Sequence, residues 1–178
     1  QYLLPQLTWD KLLPENFLQS EPELGLPGRG EVVAIDRCQF YLYGSHNLDG
    51  MRAWLKADCS AFKNLTYHQV LIAFSQRSWT DIYAMVRLWA LYQKMYIHKF
   101  PKIIITTFNH VKAFKPTEEQ IKQLNGVLAK NNQPISWISN WQEYIRLLKI
   151  SKEPKNILLI GSFYFVSEFK SVTKNFST

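Results

Sequence analysis

Few residues in this chain have the types and spacing to do covalent chemistry unaided. The four histidines, His46, His68, His98 and His110, show no spacing that would hold a metal. Cys38 and Cys59 also lack metal-type spacing, and Cys59 has no evident partner histidine, so both are expected to be free thiols in a reducing compartment. There is no G-x-S-x-G nucleophile elbow and no G-x-G-x-x-G dinucleotide fingerprint. Gly28-Arg29-Gly30 is too short for a G-x-x-x-x-G-K-[ST] phosphate loop, and it follows a proline-rich stretch instead of a strand. What remains is a set of short polar runs at 44–47, 75–80, 108–112 and 161–164, carrying hydroxyl, imidazole and ammonium groups.

Each of these runs follows a stretch that reads as a strand. Short β-branched or aromatic runs predict strands at 31–35, 39–43, 68–74, 102–108, 135–138 and 156–161. Helical spacing predicts helices at 48–62, with Met51, Trp54, Leu55 and Cys59 on one face, and at 80–96, where Ile82, Met85, Val86, Trp89 and Tyr92 recur. Thr80 is the expected cap of that second helix. Thr117-Glu118-Glu119-Gln120 fits a capping box opening a third helix to about Lys130. Shorter helices are expected at 140–148 and 165–172. Strands alternating with helices imply crossover units, hence an α/β domain with a mainly parallel sheet and helices on both faces, in three layers. The continuous apolar runs Ile103-Ile104-Ile105 and Ile157-Leu158-Leu159-Ile160 suit strands covered on both sides. The first two strands are close enough to form a hairpin. In such sheets ligands sit beyond the carboxyl ends of the strands, where the polar runs lie.

Residues 1–27 differ. Pro5, Pro14, Pro22 and Pro27 separate short apolar clusters there, which predicts a linker or the end of a preceding domain, with the α/β domain occupying 28–178. The first residue is Gln1 and not Met, so a fragment of a longer protein is expected. The net charge of +7 is spread from Lys11 to Lys174 without a long run or a nucleic-acid signature, so it reads as a solvated face and no nucleic-acid partner is expected. No apolar run is long enough to span a bilayer, no signal peptide is visible, and a cytoplasmic protein without a membrane partner is expected.

The polar runs, in their order, carry a resemblance. Leu26-Pro27-Gly28-Arg29 precedes the strand pair, and Tyr43-Gly44-Ser45-His46-Asn47-Leu48 follows it. This resembles the P-G-R and D-G-A-H-N-P motifs of folylpolyglutamate synthases and dihydrofolate synthases, in the Mur ligase superfamily. Phe74-Ser75-Gln76-Arg77-Ser78-Trp79-Thr80-Asp81 stands where that family has F-G-x-x-x-D-K-D. Val111-Lys112-Ala113 matches P-R-A, and Gly161-Ser162-Phe163-Tyr164-Phe165-Val166-Ser167-Glu168 is similar to the closing G-S-L-Y-L-V-G-E. The five segments cover residues 26 to about 170.

The resemblance implies a Rossmann-like Mur ligase carboxy-terminal domain. The implied reaction is ATP-dependent addition of L-glutamate to a folate-type acid through an acyl phosphate, part of folate and one-carbon metabolism. Arg29, Lys112 and Asn47 would face the nucleotide and its phosphates. His46 would be the catalytic residue near the nucleotide and the incoming amino acid. Ser162, Tyr164 and Asp81 would hold the glutamate. ATP and Mg²⁺ would be held mainly by a P-loop domain outside this chain, which closes on this one to keep water from the acyl phosphate. Each residue also has a plainer reading: a solvated arginine at 29, a surface or capping histidine at 46, a helix-capping Asn47, and a loop serine and packed tyrosine at 162 and 164. The departures favour a second reading, a non-catalytic binding module that keeps the fold. Tyr43 replaces the family aspartate. Trp79 and Thr80 replace the first Asp and the Lys of D-K-D, leaving Asp81. Leu48 replaces the proline. Lys112 replaces an arginine, keeping charge but losing the bidentate fork.

Overall fold

The computed structural model describes residues 29–61, 66–96, 102–129, 135–150 and 155–173. The expected linker at 1–27, the Cys59 side chain and the Arg29 side chain lie outside what is described. The strands are β1 (Arg29–Ile35), β2 (Cys38–Tyr43), β3 (Gln69–Ala73), β4 (Ile103–Thr106), β5 (Ile135–Ile138) and β6 (Lys155–Gly161). The helices are α1 (Leu48–Ala61), α2 (Trp79–Met95), α3 (Glu118–Ala129), α4 (Trp141–Ile150) and α5 (Phe163–Thr173).

Six strands form one sheet in the order β1-β2-β6-β3-β4-β5. The hairpin is real: β1 and β2 pair antiparallel with Ile35 opposite Cys38, and Asp36 turns the chain at φ 51, a conformation that Asp accepts more readily than most residues. All remaining pairs are parallel. The central strands are sealed on both faces, which is why they read as unbroken apolar runs. Val70, Ile72, Ile103, Ile105, Leu158 and Ile160 face α1, α2 and α3, joining Met51, Leu55, Ile82, Met85, Trp89 and Leu124. Their neighbours Leu71, Ile104, Ile157 and Leu159 face α4 and α5, joining Trp141, Ile145, Phe165 and Phe169. Each such side chain contributes about 1.5–3 kcal/mol by leaving water.

Short polar side chains start the helices. Asn47 Oδ1 accepts the Gly50 N–H at 2.7 Å to open α1. Thr117 and Gln120 form the reciprocal capping box, at 2.9 and 3.3 Å. Asn140 Oδ1 accepts from the Gln142 and Glu143 N–H groups ahead of α4. Two expectations are corrected. α2 begins at Trp79, and its cap is Ser78, whose hydroxyl accepts the Asp81 N–H at 3.2 Å, so Thr80 is already inside the helix. α5 begins at Phe163, two residues before the predicted start, because Ser162 caps it by accepting the Tyr164 N–H at 3.2 Å. Tyr164 is therefore in a first helical turn, not in a loop.

Candidate functional site

The carboxyl ends of the five parallel strands share one edge of the sheet, and β1 starts there too, since Arg29 pairs with Tyr43. At this edge β2 hands over to α1 on one face of the sheet while neighbouring β6 hands over to α5 on the other. Adjacent strands whose connections leave on opposite faces open a crevice between their ends.

Two glycines allow the backbones to close around that crevice. Gly161 ends β6 at φ 129, and a Cβ there would lie 2.1 Å from the Ala73 carbonyl oxygen. Only glycine permits this conformation and this approach. The next residue is anchored by the same carbonyl, which accepts the Ser162 N–H at 2.8 Å. Gly44, just beyond β2, lies against the Phe163 ring, where a Cβ would meet the ring at 2.0 Å.

The side chains form one connected group. Ser162, fully buried, has its hydroxyl 2.7 Å from that of Ser75 beyond β3. The loop after β4 folds back onto this position through a Ser75–Ala113 bridge and a Gln76 N–H bonded to the Lys112 carbonyl at 2.6 Å. Lys112 is thereby aimed at α5: its ammonium donates to the Tyr164 hydroxyl at 3.2 Å and lies 5.5 Å from the ring centre. His110 stacks on the same tyrosine, with its ring centre 4.2 Å from that of Tyr164. Its Nδ1 accepts the Lys112 backbone N–H at 3.0 Å, which leaves Nε2 to carry the ring proton outward. His46 packs its ring 5.2 Å from Phe163, tying the loop after β2 to the same helix start.

Ser162, Tyr164 and Lys112 thus meet, and His46 adjoins them through Phe163. Asn47 Oδ1 is engaged as the α1 cap. Asp81 is exposed in the first turn of α2, with its backbone N–H held by Ser78. Arg29 lies at the same edge through its backbone pairing with Tyr43. Residues that the sequence reading did not single out include Ser75, His110, Ser45 and Arg77. Ser45 is buried between β2 and α1, and its hydroxyl has no hydrogen-bond partner. The Arg77 Nε, on the loop leading into α2, is likewise buried without a partner. An orphaned buried donor of this kind costs about 1–3 kcal/mol unless something else satisfies it. All four lie in the post-strand runs, so position was the available signal.

Tyr43 and Trp79 serve as packing residues, whereas Thr80 and Lys112 are exposed. The Tyr43 ring lies 5.2 Å from that of Trp54. Trp79 stacks on Phe114 at 6.1 Å, and its indole N–H donates to Gln123 Oε1 at 2.9 Å, which joins the start of α2 to α3. Burial pushes two groups upward, both near the opposite edge of the sheet. The Tyr144 hydroxyl, bonded to Gln69 at the start of β3, rises to about 12, and the Cys38 thiol at the start of β2 is raised by desolvation.

No family model matches the sequence, and no curated protein matches it. Solved structures do match. The folylpolyglutamate synthase of Thermotoga maritima superimposes with a TM-score of 0.58 at 15% identity, over 86% of this chain and 31% of that one. The bifunctional folylpolyglutamate synthase/dihydrofolate synthase of Yersinia pestis, complexed with AMPPNP and a Mn ion, gives 0.55 at 14% identity, over 84% and 32%. Helicobacter pylori folylpolyglutamate synthetase gives 0.51 at 18%, over 94% and 36%. The chain spans about a third of the length of each. Identities this low speak for architecture alone: this chain shares its α/β fold with about a third of each of these structures.

Proposed function

We propose that this chain supplies half of the active site of a folylpolyglutamate synthase-like ligase, which joins L-glutamate to a folate-type carboxylic acid. The observation that carries this reading is the Ser75–Ser162–Tyr164–Lys112 group, assembled from three strand ends at a topological switch point of a ligase-type fold. Ser162 and Tyr164 hold the glutamate, with Asp81 on the facing helix start. Lys112, Asn47 and Arg29 meet the nucleotide phosphates, and His46 stands beside the incoming amine. Mg·ATP would supply the phosphoryl group that activates the acid.

This chain's residues suit contact with phosphate better than ligation of a metal. Ser45 offers a buried hydroxyl without a partner beside the first turn of α1, and helix starts favour anions. Among the described residues no group of three or more His, Cys, Asp or Glu could hold a metal ion. On this reading the metal and most of the nucleotide are held by a P-loop domain, in the same chain or a separate one.

Calorimetry with Mg·ATP and with L-glutamate, alone and with a P-loop domain from the same source, tests the proposal. Binding that vanishes in His46→Ala or Arg29→Ala supports it. A folded sample that binds nothing under these conditions refutes it. The second reading, a binding module that keeps the fold without the chemistry, is favoured by one observation: Tyr43 and Trp79 fill motif positions with ring packing where the family has carboxylates. An intact P-loop partner that yields no ligation product would select it.

A further inference from the structure

The sheet has a second place where neighbouring connections part. After β4 the chain crosses to α3 on one face, and after β5 it crosses to α4 on the other. A cavity of about 380 Å³ opens there, within the size range of small-molecule sites. Its wall includes Asn109, Lys115, Asn140, Trp141, Gln142 and Glu168. It adjoins the Ser162 group without sharing its residues: Asn109 lines the cavity, while the next residue, His110, stacks on Tyr164.

The charges in this cavity select a ligand class. Glu168 is fixed from two sides, with Oε2 accepting the Asn109 backbone N–H at 2.7 Å and Oε1 accepting the Trp141 indole N–H at 2.8 Å. A carboxylate has about four acceptor positions, so each oxygen keeps capacity for another donor. Lys115 is the one cation of the lining, and among the described residues no ion pair joins it to Glu168. The other polar lining groups are neutral amides and hydroxyls. A simple anion would be drawn to Lys115 and repelled by Glu168, and a simple cation the reverse. A molecule carrying both charges satisfies both.

We propose that this cavity binds a small zwitterion, a free α-amino acid, with its ammonium on Glu168 and its carboxylate toward Lys115 and the amides of Asn109 and Gln142. This site does not depend on the ligase reading.

Titration calorimetry of the 178-residue chain with glycine and with L-alanine tests it, since neither has a side-chain carboxylate. N-acetylglycine and glycinamide serve as blocked controls. Saturable binding is expected for the free amino acids, weakened about tenfold or more when either charge is blocked. Lys115→Ala and Gln142→Ala should weaken it by a similar factor with an unchanged melting temperature, whereas Tyr164→Phe should not. Absence of binding by a folded sample, equal binding of the blocked compounds, or loss in Tyr164→Phe with retention in Lys115→Ala would overturn the proposal. That last result would leave the ligase reading standing. The converse, L-glutamate and glycine binding both lost in Lys115→Ala and both retained in His46→Ala while Mg·ATP fails to bind, would keep this site and remove that reading.

Discussion

The end of β6 and the start of α2 lie at the same sheet edge, and both fall in segments similar to family motifs. They are built by different means. At Gly161-Ser162 the position is fixed by backbone: a positive φ, a carbonyl at Ala73 in close approach, and a hydroxyl shared with Ser75. At Trp79-Thr80 it is fixed by a side chain: an indole wedged between Phe114 and Gln123. Backbone geometry there buries Ser162 but leaves the Tyr164 side chain that follows exposed to a ligand. Side-chain packing uses up the second. Packed rings hold the fold while exposed polar side chains can meet a ligand, so the first region is the place to test for ligand contact.

That contrast can be broken by substitution. The largest effect is expected for Gly161→Ala, where both the φ and the Ala73 carbonyl oppose a Cβ; a loss of about 3 kcal/mol or more in urea unfolding is expected. A loss below about 1 kcal/mol would mean that backbone does not fix this corner. Trp79→Ala should cost about 2 kcal/mol, less than a fully buried tryptophan because Trp79 is half-buried, and should leave ligand binding intact. If binding falls instead, the second region still serves the site. Ser162→Ala removes the α5 cap and should cost about 1 kcal/mol, and it should weaken glutamate binding as well. Lys112→Ala, at an exposed side chain, should change stability by less than about 0.5 kcal/mol while lowering ligand affinity about tenfold. Unfolding and calorimetric titrations of one sample set separate these outcomes.

The same contrast shows what could be read from the chain. Periodicity and local hydrogen bonding are short-range, so the strands, the hairpin and the Thr117–Gln120 box were legible. The apolar strands also announced a sheet covered on both sides. The cap of α2 was misassigned by two residues because Ser78 and Thr80 offer the same chemistry and only the backbone turn chooses between them. Phe163 and Tyr164 read as irregular because aromatic residues carry no strong helical signal; Ser162 was the clue. Strand order and the juxtaposition of Glu168 with Asn109, 59 residues apart, depend on long-range pairing that no local pattern encodes. The stacking of His110 on Tyr164 is hidden for the same reason, since the two are far apart in sequence.

The antiparallel hairpin has a consequence for assembly. Because β1 runs against β2, its first residue pairs with the last residue of β2, one strand spacing from the loop that bears His46. The chain therefore enters β1 at the crevice and not at the far side of the sheet. A domain joined there need not find this edge by diffusion. Its encounter is governed by effective concentration, millimolar for a short flexible connection, so even a weak contact surface would be occupied most of the time. Supplied as a separate chain, the same domain would have to bind far more tightly to give the same occupancy.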